Sequence, residues 1–324
     1  MKISFYFIFF TILVFGLSQL SDSVFGIAYF PPPLKQIRDG TDPSNVTCTE
    51  GLELVLKKSN GSPACLKPSS VAKLIERGWA IHILPDYKNE NNNSEIYPMG
   101  SFEVETSLVN YDGSEGFLAM PTDEGQFPGI VMIHEWWGLN DNIKEMAEKL
   151  ASHGYTVLAV DLYNGNVATT SDEARKLISS FDQSSGIENM NSAAAYLQEN
   201  HNVDSLGSIG WCFGGGQSLN LALNNENMDA TVIYYGQLQS DQEVLSSISW
   251  PVLGIFAGLD QGITEQSVND FEASLNELEI SNEIHIYPDV DHAFANPSGE
   301  RYAPEESKDA WQKTLEFFKE NLKD

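Results

Sequence analysis

Basic residues are scarce in this chain. Its 324 residues carry 18 lysines and arginines against 46 aspartates and glutamates, a formal net charge of −28. A field of that sign repels nucleic acid and anionic membrane surfaces, so neither is an expected partner. It also disfavours a strongly anionic substrate unless one cationic pocket is built locally. Histidine is sparse, with six residues, and cysteine sparser, with three. No CxxC pair or Cys/His cluster has the spacing of a zinc site, so no metal is expected, and no organic cofactor is implied. There are no internal repeats, and a cluster of asparagines (Asn89, Asn91, Asn92, Asn93) is the one biased tract.

What is present divides the chain into three stretches. Residues 1–26 open with Met1-Lys2 and an uncharged apolar run from Ile3 to Leu17. One positive charge before such a run reads as a secretory signal peptide, with a membrane anchor as the rival because ~17 residues approach the minimum span. Either reading puts the mature chain outside the cytoplasm, secreted or tethered to the membrane by this segment. Residues 27–98 form a small module and linker. Pro31-Pro32-Pro33 reads as a stiff extended spacer. An alternating strand-like stretch runs from Val46 to Lys57, and Asn60-Gly61 makes a hairpin turn. Ser69 to Trp79 reads as a short capped helix, and residues 86–98 as a polar linker. In an exported chain Cys48 and Cys65 can close a disulfide loop and leave one free thiol. Three glycosylation triplets begin at Asn45, Asn60 and Asn92, which agrees with export.

From residue 99 to 324 the pattern becomes strand and helix in alternation. Asp112-Gly113 is flanked by strand-like Phe102–Val109 and Glu115–Met120, a hairpin. Strands follow at Gly129–Ile133, Thr156–Val160, Ser205–Trp211, Ala230–Tyr235, Val252–Ala257 and Glu283–Tyr287. Helices fall at Asn140–His153, Ser171–Phe181, Ile187–Asn200, Gln217–Leu223, Glu265–Glu279 and Pro304–Leu322. This predicts an α/β architecture, a mainly parallel sheet with helices on both faces and reactive groups at the strands' carboxyl ends.

The chemistry centres on Gly210-Trp211-Cys212-Phe213-Gly214. A strand leads into Cys212 and a helix leads away, with glycines two residues to either side, the pattern of a nucleophile elbow. The helix N-terminus would favour thiolate over thiol. Alone, the same residues also read as a buried, inert cysteine beside a glycine loop. A nucleophilic cysteine needs a base and a group that orients the base. His292 directly follows the last predicted strand, and Asp260 follows the strand before it. His134, ending a strand, is the rival base. Asp260 alone reads as a turn residue and His292 alone as a surface histidine. Together, Cys212, Asp260 and His292 run in the order nucleophile, acid, base that is found in α/β-hydrolases. The backbone N–H groups of Phe213 and Trp136 are the expected oxyanion hole. Glu135 reads either as a loop carboxylate or as a partner controlling the cysteine proton. Trp137, Trp211 and Phe294, with Trp136, are expected in an apolar pocket wall, with core packing as their alternative.

His134-Glu135-Trp136-Trp137-Gly138, Asp161-Leu162-Tyr163, Gly210-Trp211-Cys212-Phe213-Gly214-Gly215, Asp260 and His292-Ala293-Phe294 together resemble the dienelactone hydrolase family. The resemblance covers about residues 101 to 324. It implies the α/β-hydrolase fold and a Cys212–His292–Asp260 triad, with oxyanion amides at Trp136 and Phe213. It further implies that Glu135 meets the resting thiol and helps generate thiolate when substrate binds. Members that act on the carboxylated lactone hold its carboxylate with two arginines. One of those positions is Asn296 here, and the other, near Thr170 or Ser171, has no arginine. Arg175 and Arg301 are the possible substitutes. The expectation is therefore a cysteine-dependent hydrolase of small, uncharged esters or lactones, carboxymethylenebutenolidase-like in mechanism. The alternatives are a carbon–carbon hydrolase or peptidase on the same fold, or a cell-surface binding module on a hydrolase scaffold.

Overall fold

The computed structural model describes residues 96–323 without a break and most residues between 32 and 82. The expected signal or anchor segment, Asn45, Asn60 and Asn92, and nearly all of the asparagine-rich linker lie outside the described residues. No helix among the described residues is long and apolar enough to cross a membrane.

The N-terminal part is built on a three-stranded antiparallel sheet, ordered β2-β1-β3, from β1 (Glu53–Lys57), β2 (Pro63–Leu66) and β3 (Ala80–His82). Its apolar core is small, with Val55, Val71 and Ala80 at the centre. Cys48 and Cys65 are bonded, with their Cα atoms 5.6 Å apart. Two expectations change here. Val46 to Thr49 is not strand, and the strand starts only at Glu53. The prolines are not all spacer, because Pro33 begins helix α1 (Pro33–Arg38). Proline suits a first helical position, where its missing N–H has no partner to lose.

The larger part carries an eight-stranded sheet ordered β11-β10-β9-β8-β6-β7-β5-β4. Strands β4 (Val104–Tyr111) and β5 (Ser114–Pro121) form the hairpin, turning at Asp112 and Gly113 with φ of 47° and 81°. Two consecutive positive φ values match the sheet's twist, which is why this turn is written Asp-Gly. The other six strands run parallel: β6 (Gly129–Ile133), β7 (Thr156–Val160), β8 (Leu206–Trp211), β9 (Ala230–Tyr234), β10 (Val252–Ala257) and β11 (Asn282–Tyr287). Strands β6 to β10 are buried along their whole length, so they read as unbroken apolar runs rather than alternating ones.

Helices α2 (Asp141–Ser152), α3 (Ser171–Ser180), α4 (Gln183–His201), α5 (Phe213–Asn224), α6 (Gln242–Leu245), α7 (Glu265–Glu277) and α8 (Pro304–Leu322) complete this part. Two core clusters form, one on each face of the sheet. One joins α2 and α8 to the strands through Met146, Leu150, Trp311 and Phe318. The other joins α4, α5 and α7 through Leu197, Leu221 and Phe271. The architecture is the α/β-hydrolase fold, with β8 near the middle and β11 at one edge.

Candidate active site

The turn after β8 is built by steric exclusion. A Cβ at Gly210 would lie 2.1 Å from the Gly214 carbonyl oxygen, and one at Gly214 would lie 2.3 Å from that of Ile133. Only glycine fits at either place. Between them Cys212 adopts φ 56° and ψ −117°, a strained backbone for a residue with a side chain. Its N–H donates to the Tyr234 carbonyl at 3.0 Å, which fixes the turn. Cys212 occupies the cap position of α5 yet makes no side-chain capping bond. Its sulfur is left for other partners.

One partner is His292, in the loop after β11. Its Nε2 lies 3.0 Å from Cys212 Sγ, and its Nδ1 lies 2.6 Å from Asp260 Oδ2. Asp260 is buried after β10, and its other oxygen accepts from the N–H groups of Gly262 (2.8 Å) and Ile263 (3.0 Å). The expected nucleophile, base and acid are thus brought into one chain of contacts by three strand ends. Burial opposes a charge on Asp260, but the His292 and backbone donors prevail and hold its pKa below the usual carboxylate value. Burial also works against a charged His292. The hydrogen bonds to Asp260 and Cys212, with their charges, outweigh it and push the imidazole up to about 10.

His134 is not free to act as the base. Its ring is fully buried, with Nδ1 2.6 Å from the Glu135 carbonyl and Nε2 accepting from the Leu162 N–H at 3.1 Å. Both ring nitrogens are committed to backbone, so His134 ties the loop after β6 to the loop after β7. Asp161 braces that second loop, accepting from the N–H groups of Tyr163 (2.8 Å) and Gly165.

Glu135 is 3% exposed, and its carboxylate accepts from Asn296 Nδ2. Burial raises its pKa to about 7, against the opposing pull of His292 and the Asn296 bond. The partner is thus Asn296, and the thiol's contact is with His292. Asn296 is itself buried, and its Oδ1 accepts from the Ser298 N–H (2.9 Å) and Oγ (2.7 Å). Among the described residues, no turn, loop or cap acceptor takes the N–H of Trp136 or Phe213. Of the two, the Phe213 N–H is the one next to Cys212 in the chain.

The expected pocket residues separate. Trp136 and Trp137 are partly exposed and meet edge to face, with ring centroids 5.0 Å apart. Phe294 is fully buried between Tyr235 and Tyr287, and Trp211 packs on Tyr234, so both belong to the core. Arg175 lies on the exposed face of α3, paired with Asp172 at 3.1 Å. Arg301 pairs with Asp291 at 3.3 Å, beside the His292 loop. Two tyrosines border the site: Tyr163, which the sequence offered only as part of the Asp161-Leu162-Tyr163 motif, and Tyr235, which was not singled out. Tyr163 and Tyr235 are buried, and neither hydroxyl finds a hydrogen-bond partner. The only signal for Tyr235 was its position directly after a parallel strand. No group of histidine, cysteine or acidic side chains among the described residues could hold a metal.

Residues 114–322, more than half of the chain, match the profile of the dienelactone hydrolase family. A Methylorubrum extorquens protein, provisionally named a carboxymethylenebutenolidase, is 27% identical over 267 residues, covering 77% of this chain and 91% of its own. The Aquifex pyrophilus protein usf is 32% identical over 219 residues, covering 64% of this chain and 93% of its own. Among solved structures, a provisionally named dienelactone hydrolase from Klebsiella pneumoniae superposes with a TM-score of 0.62 at 23% identity, covering 68% of this chain and 99% of its own.

Proposed function

The chain belongs to the dienelactone hydrolase family and is a lactone or ester hydrolase, and we propose that it cleaves small, uncharged esters or lactones through a Cys212–His292–Asp260 triad. The observation that carries the proposal is the continuous contact from Asp260 through both nitrogens of His292 to Cys212 Sγ.

A histidine pushed up to about 10 holds its proton at neutral pH. Asp260 fixes the ring so that Nε2 faces sulfur, where the charged imidazole can pair with the thiolate that attacks. The thiolate attacks the carbonyl carbon, a C–S bond forms, and the carbonyl oxygen gathers negative charge. The Trp136 and Phe213 amides are the donors for that charge. Collapse of the intermediate breaks the C–O bond, and the leaving oxygen takes the Nε2 proton. Water then attacks the thioester while His292 accepts a proton from it. Breaking the C–S bond releases the acid and regenerates the thiolate.

Substrate charge follows from what is missing around this centre. Arg175 and Arg301 are both engaged by carboxylates, and Asn296 is spent on Glu135. None presents an unpaired cation to an anionic substrate, and Trp136 and Trp137 offer an apolar rim. The N-terminal apolar segment and the Cys48–Cys65 bond support an extracytoplasmic location, secreted or tethered.

The test is hydrolysis of p-nitrophenyl acetate and butyrate, a neutral enol lactone and a carboxylated dienelactone, by the wild type and by Cys212→Ala. Cysteine-dependent turnover of the neutral compounds, with little of the carboxylated one, is the expected result. Good turnover of the carboxylated lactone would overturn the uncharged-substrate reading, and absence of any Cys212-dependent turnover would overturn the triad.

A further inference from the structure

Tyr97 belongs to the segment that joins the N-terminal part to β4, upstream of the family-matched residues. The sequence placed it at the end of a polar linker. Instead it is 2% exposed and packs edge to face on Trp311 of α8, with ring centroids 5.4 Å apart. Its hydroxyl donates to the Ala295 carbonyl at 2.7 Å, across 198 residues of chain. The chain is anchored twice more just after this ring. Pro98 O lies 2.9 Å from His153 Nε2, and the Gly100 N–H donates to Ser152 Oγ at 2.7 Å.

The loop that Tyr97 grips runs from His292 to Asn296, and within it the Asn296 N–H donates to the Ala293 carbonyl at 3.1 Å. Ala293 has φ 64°, a left-handed backbone that a non-glycine residue keeps only when its surroundings enforce it. Further contacts come from elsewhere in the chain, among them the Ala303 N–H, which donates to the Phe294 carbonyl at 2.9 Å. Ser307 Oγ lies 3.0 Å from the Phe294 carbonyl, and Tyr97 takes the next carbonyl, that of Ala295. The residue after Ala295 is Asn296, whose amide holds Glu135, and three residues before it is His292.

We propose that Tyr97 is a positioning residue of the active site: its hydroxyl fixes the loop on which His292 meets Cys212 and Asn296 meets Glu135. Through it, the segment leading from the N-terminal part sets the environment of the thiol. The proposal rests on the cysteine-hydrolase reading for its meaning, but its test does not need turnover. The titratable groups facing Glu135 are His292 after β11, Tyr235 after β9 and Tyr97 itself. The small cavity beside Glu135 is otherwise lined from α2 and β8 by uncharged Asn142, Ile143, Met146 and Trp211. An Asn296 donor favours the ionised carboxylate, so loosening Asn296 raises the pH at which Glu135 loses its proton.

Cys212 is the free cysteine of the chain, so iodoacetamide reports on it alone. The experiment compares wild type, Tyr97→Phe and Glu135→Gln in the full chain. It measures the alkylation rate from pH 5 to 9, then kcat and KM for p-nitrophenyl butyrate. The step in the alkylation profile that Glu135→Gln removes should move upward by about half a pH unit or more in Tyr97→Phe. The kcat should fall about fivefold, with KM within about twofold. Tyr97→Phe keeps the ring that packs on Trp311, so the fold is retained, and a change in melting temperature alone counts against the proposal. An alkylation profile that superimposes on wild type overturns it. If wild type hydrolyses no ester, the functional reading fails while the alkylation profiles still decide the role of Tyr97.

Discussion

The two sheets of this protein solve the same problem by different means. The three-stranded sheet gathers only a few buried apolar side chains around Val55, Val71 and Ala80, and it carries the Cys48–Cys65 bond. The eight-stranded sheet buries two clusters, one on each face, and has no disulfide. A small unit cannot remove enough apolar surface from water to offset the entropy of ordering its chain, and a covalent link that restricts the unfolded state makes up the difference. The large sheet has surplus enough to carry strain, such as the backbone at Cys212 and Ala293. Cysteine is therefore bonded in one region and left free, at Cys212, in the other.

That contrast can be broken most sharply at the nucleophile. Cys212→Ala should lower ester turnover by roughly 10⁴-fold or more while leaving thermal unfolding unchanged. Steady-state rates beside a melting curve check both halves, and retained turnover would take the chemistry out of the large sheet. Asp260→Asn should cost about 10²- to 10⁴-fold in kcat by removing the carboxylate that orients and stabilises charged His292, measured with the same ester. In the small sheet, the paired Cys48→Ser and Cys65→Ser substitutions should cost about 3 kcal/mol of local stability. Hydrogen exchange in β1 and β2 would register that loss while ester turnover stays within about twofold. A parallel fall in turnover would mean that the two regions are coupled more tightly than their separate cores imply.

The smallest effect concerns Glu135. Its pKa of about 7 lies above that of an exposed glutamate, so the folded protein holds this proton more tightly than the unfolded chain. Wild type should lose stability as pH rises from the ordinary carboxylate range through about 7, and lose no more from this group above it. Glu135→Gln removes the buried charge, so it should melt about 3 °C higher than wild type at pH 8 and close to wild type at pH 5. Equal differences at both values would count against a buried carboxylate that titrates near neutrality.

Much of the fold was legible because parallel strands buried on both faces are unbroken apolar runs, as at Gly129–Ile133 and Val252–Ala257. The elbow was legible because steric exclusion leaves glycine as the only choice at 210 and 214. Helix α4 was read as starting four residues too late for an equally physical reason. It starts at Gln183, and Ser184-Ser185-Gly186 reads as a turn. Yet a Cβ at Gly186 would lie 2.2 Å from the Phe181 ring, so a side chain five residues upstream selects that glycine inside a helix. The grip of Tyr97 on Ala295 left no local trace, since neither residue's neighbours encode the other. The same holds for Asn296, whose partner Glu135 lies 161 residues away.

The order of strands in the large sheet bears on how the protein ages. The sulfur is delivered from β8, flanked on both sides by parallel strands, whereas the base follows β11, which has a neighbour on one side only. Edge strands open locally at lower free energy than central ones. When β11 frays, the imidazole departs and the thiol stays where it was, presented but undirected. A lone exposed thiol is open to sulfenic and then irreversible sulfinic oxidation. Loss of activity on storage should then precede loss of fold, beginning as damage at one sulfur atom while the sheet beneath it remains intact.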